Sequence, residues 1–268
     1  MHQNPLLEKV RNNQTALGLW ITEPDMVELS AFLGLDWFMI DMMFTGLDFG
    51  RTQYLIRTGE AAGITPVVRV QSNPWLGYDH RIAVDVTRLQ GMGAQFLLIS
   101  HSCKKEIEES LVVAQDWHRR ALWIHPFRSR DEWGSKTDEM VEQTYIIPHA
   151  ESEGSLAELE ETIALPGLKM FFIAMTDASK VITRSKYPDW DNKKLWEYVD
   201  KAVKLGEKHG VMIGANTSYA YTMAEMRGRV RRLHEAGVKF IMIQGAQFLF
   251  QVAMSEFLQG VRSDLKLA

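Results

Sequence analysis

Eight short apolar runs recur along the whole chain, and longer amphipathic segments separate them. Most of the runs are too short for free-standing helices and nearly continuous in apolar character, which is typical of buried parallel strands. They are ALGLWI (16–21), WFMIDMM (37–43), TPVVRV (65–70), FLLISH (96–101), TYIIPHAE (144–151), MFFIAMTD (170–177), GVMIGAN (210–216) and FIMIQGA (240–246).

The segments between the runs have helical character, and several end in glycine, a common helix stop. Eight strands alternating with helices predict an α/β fold, a (β/α)8 TIM barrel, as a single domain over residues 1–268. A doubly wound open sheet is the main rival, and it is disfavoured because no glycine-rich turn follows the first strand. The long stretch at 121–139 is interpreted as an inserted loop over one rim.

Composition indicates an ordinary globular protein and excludes some partners. With 46% hydrophobic residues the chain can bury a sizeable core, and a net charge of −4 without a basic stripe argues against a nucleic-acid partner. Cys103 is the only cysteine, which fits a reducing compartment. Since we find neither a signal-peptide core nor a run long enough to span a bilayer, we expect a cytoplasmic protein without a membrane partner.

Polar residues close most of the apolar runs. In a TIM barrel the catalytic groups come from the carboxyl ends of the strands, so these residues are expected to face one basin. A basic group, acids, a histidine and two amides gathered at one rim indicate an active site. The residues at the ends of the runs are Trp20, Asp41, Arg69, His101, Glu151, Asp177, Asn216 and Gln244.

Glu151 and Asp177 end consecutive runs, which are neighbouring strands in a barrel. Two adjacent carboxylates repel each other unless a cation or a proton lies between them. A hard ion such as Mg²⁺ or Mn²⁺ favours two carboxylates together with water and substrate oxygens. The pair therefore predicts a metal site, and the alternative is that each acid pairs with a lysine or arginine or caps the following helix.

Arg69 follows two valines on the third strand. Its guanidinium offers a fork of donors that suits a carboxylate or an enolate oxygen. The alternative interpretation is a structural salt bridge to Asp41.

The order of these segments resembles the HpcH/HpaI aldolases, the class II pyruvate aldolases, over nearly the whole chain. GLW near the start, LDWFMID, PVVRV and GAQFLLIS match successive strands of that family. PHAES is similar to the segment that carries the family's glutamate ligand, and FFIAMTDAS to the one that carries its aspartate ligand.

The resemblance implies a metal-dependent reaction on a small 2-oxo acid. Glu151 and Asp177 would bind the divalent metal, most simply Mg²⁺ or Mn²⁺, and the backbone amides around Ala174 and Thr176 would receive the substrate carboxylate. Such enzymes are described as dimer-based homo-oligomers, often hexamers. The resemblance implies that Arg69, Ala174 and Thr176 bind the substrate. Trp20, at the end of the first run, and Phe44, after the second run, are further candidate substrate-binding residues.

The chain departs from the family where the catalytic base is expected. The family has Gly-Glu-His after the second strand, whereas this chain has Met42-Met43-Phe44, and Gly91 stands where the acidic partner of that histidine would lie. Candidate replacement bases are His101 and His149, the latter on the same side of its strand as Glu151 by alternation. Arg69, His101 and His149 are therefore the candidate catalytic residues.

These observations predict a carbon–carbon lyase or condensing enzyme, aldolase-like, acting through the metal-bound enolate of pyruvate or oxaloacetate. The alternative is a decarboxylase, or a decarboxylative carbon–carbon bond-forming enzyme of the macrophomate synthase type, because loss of CO₂ creates an enolate without a base. A further alternative is a barrel that binds a keto acid without turning it over.

Overall fold

The computed structural model describes residues 4–70, 81–100, 103–115 and 144–266. Its eight strands form one closed parallel barrel in chain order, in which β1 pairs with both β2 and β8. The predicted (β/α)8 barrel is confirmed. The strands are β1 (Ala16–Trp20), β2 (Trp37–Asp41), β3 (Thr65–Val70), β4 (Phe96–Ser100), β5 (Tyr145–Ala150), β6 (Met170–Ile173), β7 (Met212–Asn216) and β8 (Phe240–Gly245).

Helices cover the outside of the barrel and follow the strands. Among the described residues none of them has the length and apolarity that crossing a bilayer requires. They are α1 (Pro5–Arg11), α2 (Pro24–Phe32), α3 (Phe49–Ala62), α4 (Arg81–Gly91), α5 (Lys104–Gln115), α6 (Glu153–Ala157), α7 (Leu159–Ile163), α8 (Met175–Thr183), α9 (Lys193–His209), α10 (Met223–Glu235) and α11 (Ala246–Leu265).

The barrel interior is filled by large aromatic side chains, and glycines on neighbouring strands make room for them. A Cβ atom at Gly18 would lie 2.4 Å from the Trp37 ring, and one at Gly214 would lie 2.3 Å from the Phe240 ring. Trp37 and Phe240 also contact each other edge to face, with centroids 6.0 Å apart. Small residues therefore alternate with large ones around the barrel, which packs the interior without a pore.

Helix α1 closes the amino-terminal end of the barrel. Its Leu6, Leu7 and Val10 side chains are buried against the interior cluster, and the Leu6 amide donates to Thr65 Oγ1 at 3.3 Å. With that end closed, the inward-pointing side chains at the opposite, carboxyl end are the ones that face an open space.

Several sequence-based expectations concern parts of the chain that the structure does not describe. The inserted loop proposed at 121–139 and the candidate base His101 lie outside the described residues, and both remain predictions.

Candidate active site

A cavity of about 560 Å³ opens at the carboxyl ends of the strands. Its wall includes residues from the ends of β1, β3, β5, β7 and β8 and from the loops and helices that follow. Because the strands converge there, the cavity gathers groups from distant parts of the sequence. Among the predicted site residues that the structure describes, the lining ones are Trp20, Phe44, Arg69, His149, Glu151, Ala174, Thr176, Asp177, Asn216 and Gln244.

Arg69 and Asp41 form a buried bidentate ion pair. The Nε of Arg69 donates to Oδ1 of Asp41 at 2.8 Å, and its Nη2 donates to Oδ2 at 2.6 Å. Asp41 Oδ1 also accepts from the backbone amides of Met43 and Phe44 at 2.9 and 3.3 Å. The salt-bridge alternative for Arg69 is therefore present. The Asp41 carboxylate points toward Arg69, and Asp41 is not among the residues that line the cavity.

The ion pair leaves part of the Arg69 guanidinium for a ligand. No described residue accepts a hydrogen bond from its Nη1 group, and the side chain lines the cavity. The rings of Phe44 and Trp20 lie 4.9 and 5.7 Å from the guanidinium carbon, which are cation–π distances. Asp41 thus orients the guanidinium, and the N–H donors of Arg69 that the ion pair leaves free can bind an anion in the cavity.

Glu151 follows β5 directly and is almost fully buried, with 2% of its side chain exposed. His149 points to the same side, as strand alternation predicts, and its Nδ1 lies 3.2 Å from Oε1 of Glu151 and 3.1 Å from Oγ of Ser100. A carboxylate oxygen only accepts, so the tautomer that makes this contact favourable carries its proton on Nδ1. His149 therefore supports the position of the Glu151 carboxylate.

The other ring nitrogen of His149, Nε2, is buried. It has no hydrogen-bond partner among the described residues, and Phe172 packs edge to face on the ring at 5.2 Å. A base must lie within hydrogen-bond reach of the proton that it removes. The contact observed for His149 is with Glu151, and its role as a base remains a prediction.

Asp177 lies in the first turn of α8, because β6 ends four residues earlier at Ile173. This corrects the expectation that the apolar run 170–177 is strand to its end. The carboxylate is half exposed, at 46%, and its Oδ1 accepts from Nζ of Lys180 at 3.0 Å. The lysine-paired alternative for this acid is therefore observed, although both Asp177 and Lys180 line the same cavity as Glu151.

The backbone amides expected to bind a carboxylate are partly engaged within the protein. The Ala174 amide donates to the Ala150 carbonyl at 3.1 Å, and the Met175 amide donates to Oδ1 of Asn216 at 2.9 Å. The first-turn amides of a helix have no partner within that helix. No described residue accepts a hydrogen bond from the Thr176 amide. Of the amides expected to bind the substrate carboxylate, that of Thr176 is therefore the one that remains available.

Lys180, Tyr219 and Phe248 are among the lining residues that the sequence reasoning missed. Lys180 is three residues after Asp177, a spacing that brings side chains together on a helix but not on a strand. Tyr219 and Phe248 lie in the loop after β7 and in α11, where no periodic signal marks a residue that faces the cavity.

Among the described residues, few side chains near Glu151 and Asp177 could serve as further metal ligands. The described residues contain no group of three or more histidine, cysteine, aspartate or glutamate side chains that could hold a metal ion. Two carboxylates with water and substrate oxygens still form a suitable environment for Mg²⁺, which usually keeps several water ligands. The ammonium of Lys180 already provides a positive charge at Asp177.

Comparison with known proteins gives relatives at low identity, and no family model matches the chain. A hydroxypyruvate/pyruvate aldolase from Sagittula stellata is 22% identical over 250 residues, which is 90% of this chain and 91% of the relative. A 2-dehydro-3,6-dideoxy-6-sulfogluconate aldolase from Pseudomonas putida is 22% identical over 189 residues, 67% of this chain and 71% of the relative.

Solved structures share the fold over nearly the whole chain. An HpcH/HpaI aldolase from Desulfitobacterium hafniense superposes with a TM-score of 0.79 at 18% identity, covering 98% of this chain and 97% of that one. Macrophomate synthase gives 0.71 at 16% identity, with coverages of 100% and 91%. A phosphonopyruvate hydrolase in complex with oxalate and Mg²⁺ gives 0.56 at 12% identity, with coverages of 98% and 88%.

The resemblance to HpcH/HpaI proteins that the sequence predicts is confirmed by these comparisons. The structural neighbours include proteins of that family, and the curated relatives are named aldolases.

Proposed function

We propose that this protein is a carbon–carbon lyase of the aldolase type that acts on the enolate of a small 2-oxo acid, pyruvate or oxaloacetate. The observation that carries the proposal is the shared cavity, which Arg69, Glu151 and Asp177 all line. The names of the curated relatives support the same reaction class.

We also propose that the reaction depends on a divalent metal, Mg²⁺ or Mn²⁺, held by Glu151 and Asp177. The oxygen-only donor set and its position at the strand ends support this assignment. When bound there, such an ion would polarise the keto oxygen of the substrate and offset developing negative charge. Lys180 would have to leave Asp177 first.

The remaining roles belong to side chains of the chain itself. Arg69, oriented by Asp41, binds the substrate carboxylate through the donors that the ion pair leaves free. The Thr176 amide is a second donor to that carboxylate. His149 is a positioning residue, because its Nδ1 contacts Glu151. The Glu151 side chain is itself almost fully buried, which limits its contact with bulk water.

A second candidate, decarboxylation of a β-keto acid, is favoured by one specific observation. Phe44 occupies the position beside Arg69, and it has no group that can accept a proton. Among the described lining residues His149 is the sole histidine, and its Nε2 is buried. Loss of CO₂ leaves an electron pair on the enolate, so this route needs no base to generate it.

Two reactions of the purified protein with Mg²⁺ or Mn²⁺ test the proposal. Exchange of the pyruvate methyl protons in D₂O, followed by NMR, reports an enolate made by a base. Decarboxylation of oxaloacetate above a metal-only blank reports an enolate made without one. Either reaction, abolished in Glu151→Gln, supports the proposal, and decarboxylation without exchange supports the second candidate.

Failure of both reactions would overturn the lyase assignment. Titration calorimetry with pyruvate and oxaloacetate then identifies a binding protein, which would take up the acid and leave it unchanged. Lys204→Met is a suitable control for preparation effects, because Lys204 lies on the exposed face of α9 and pairs only with Asp200 among the described residues.

We further propose a cytoplasmic homo-oligomer. The lone cysteine supports a reducing compartment. Helix α11 leaves Phe250, Phe257 and Leu258 exposed, and surfaces of this kind commonly mark interfaces. Light scattering after size exclusion measures the assembly, and a monomer at micromolar concentration would contradict it.

A further inference from the structure

The cavity has an aromatic wall to which the proposed function assigns no chemical step. Trp20, Phe44, Tyr219 and Phe248, called the aromatic wall below, all line it. Phe44 is 64% exposed and Tyr219 is 48% exposed. Large aromatic side chains that remain open on the wall of a cavity are typical of ligand contacts.

One half of the aromatic wall adjoins the anion-binding group. The rings of Trp20 and Phe44 lie within 6 Å of the Arg69 guanidinium. The side chains of Met39 and Met242, both buried, also line the cavity. An oxo acid whose carboxylate binds Arg69 therefore has aromatic surface beside it.

The other half of the aromatic wall is held in place by a strained turn. Ser218 has a left-handed backbone, with φ of +56°, although it is neither glycine nor asparagine. Its Oγ accepts from Thr176 Oγ1 at 2.9 Å, and its carbonyl accepts from the Gln244 side chain. Such strain persists only where surrounding contacts enforce it, and it concentrates at functional sites.

This turn positions Tyr219 at the cavity mouth. The Tyr219 ring contacts Phe248 of α11 edge to face, with centroids 5.7 Å apart and an interplanar angle of 66°. Tyr221 contacts the same Phe248 ring from a second direction at 6.2 Å. The loop after β7 is thus fixed against α11, and Tyr219 is presented to the cavity as a preorganised surface.

Two amide side chains near this wall are engaged by the protein. The Gln244 amide nitrogen donates to the Ser218 carbonyl, and the Gln247 amide nitrogen donates to Thr22 Oγ1 at 3.0 Å. A flat apolar ligand would bury aromatic area without leaving those groups unpaired.

We infer that the second fragment of the reaction, the aldehyde that is added or released, is aromatic or similarly flat and apolar, rather than a short aliphatic aldehyde. This rests on the proposed function. In the addition, C3 of the pyruvate enolate bonds to the aldehyde carbon, whose oxygen takes up a proton. In the reverse direction that bond breaks, its electron pair stays on the pyruvate fragment, and the hydroxyl proton is lost as the aldehyde leaves.

The test measures binding, so that it does not depend on turnover. By titration calorimetry, 2-oxo-4-phenylbutanoate is compared with 2-oxobutanoate, which shares the oxo-acid group and lacks the ring. We expect the phenyl compound to bind about tenfold more tightly, a gain typical of one or two aromatic contacts. Phe44→Ala and Tyr219→Ala should each lose most of that preference, while Tyr219→Phe retains it.

Phe32→Ala is the matched control, because Phe32 is exposed on α2 and does not line the cavity. It should leave the tenfold ratio unchanged. Equal binding of the two compounds, or a preference that survives in both Phe44→Ala and Tyr219→Ala, would overturn the inference while leaving the proposed function intact. Conversely, the phenyl preference can hold while methyl exchange and decarboxylation both fail, so the two failures are distinguishable.

Discussion

Arg69 donates from two nitrogens to the two carboxylate oxygens of Asp41, at 2.8 and 2.6 Å, and both side chains are buried. The pair joins adjacent strands, since Asp41 and Arg69 are register partners between β2 and β3. Asp41 also accepts from the backbone amides of Met43 and Phe44, and Phe44 lines the cavity. One carboxylate therefore fixes both the arginine and the loop beside it.

The first prediction concerns the stability of this ion pair. Arg69→Met leaves the Asp41 carboxylate buried without its cation, and we expect a loss of about 3–5 kcal/mol in the free energy of unfolding. Adding Asp41→Asn should recover roughly half of that loss, because the amide oxygen still accepts from the Met43 and Phe44 amides. Urea unfolding of the single and double variants measures both effects.

The Lys204–Asp200 pair on α9, in which both side chains are exposed, provides the comparison. Lys204→Met should cost less than about 1 kcal/mol, as surface pairs do. A double variant that is no more stable than Arg69→Met would contradict the view that the unpaired charge causes the loss.

The second prediction concerns Lys180, which contacts Asp177 through an ammonium group 3.0 Å from Oδ1. If Asp177 binds the metal, this ammonium competes for the same carboxylate. Lys180→Met should therefore raise the affinity for Mn²⁺ by about tenfold, a modest gain for a partly exposed charge. Electron paramagnetic resonance of free Mn²⁺ measures the affinity directly, with Lys204→Met as a control whose affinity stays at the wild-type value. Weaker Mn²⁺ binding by Lys180→Met would show that Lys180 assists the ion rather than competing with it.

The third prediction concerns the barrel interior. A methyl group at Gly214 would lie 2.3 Å from the Phe240 ring, and this overlap should destabilise Gly214→Ala by about 1–3 kcal/mol. Adding Phe240→Leu to the Gly214→Ala variant should recover part of the loss.

Gly228, in the middle of α10, provides the control. A Cβ atom there would have no other atom within 4 Å, so Gly228→Ala should stabilise the protein by about 0.5–1 kcal/mol. Thermal unfolding compares them, and equal effects at both glycines would contradict the packing argument.

The fourth prediction concerns the reactivity of Cys103. Desolvation raises the pKa of its thiol above the ordinary value, with the Glu106 carboxylate nearby contributing in the same direction. Only the thiolate reacts with iodoacetamide, so a raised pKa lowers the reactive fraction at any given pH. The pH of half-maximal alkylation rate should therefore be higher in the folded protein than in the same protein unfolded in urea. A lower midpoint in the folded state would contradict it.

The sequence predicts the architecture and much of the cavity wall because both depend on local patterns. A strand alternates its side chains between the two faces, and the carboxyl ends of barrel strands meet at one rim. The positions of Arg69, His149, Glu151 and Asn216 at that rim follow from the apolar runs alone. For Asp177 the apolar run predicts the correct rim but the wrong element. The strand ends at Ile173, and Asp177 lies in the helix that begins at Met175.

Only the tertiary structure decides which partners these groups have. Arg69 pairs with Asp41, 28 residues away, through the register of two strands, and His149 turns its Nδ1 toward Glu151. The same holds for Tyr219. Its place at the cavity depends on the left-handed backbone of Ser218 and on the contact with Phe248, a residue of α11 that lies 29 positions later in the chain. Such contacts depend on distances between segments that are remote in the chain. The sequence therefore offers the Arg69–Asp41 pair only as one of two interpretations, and it does not predict the place of Tyr219.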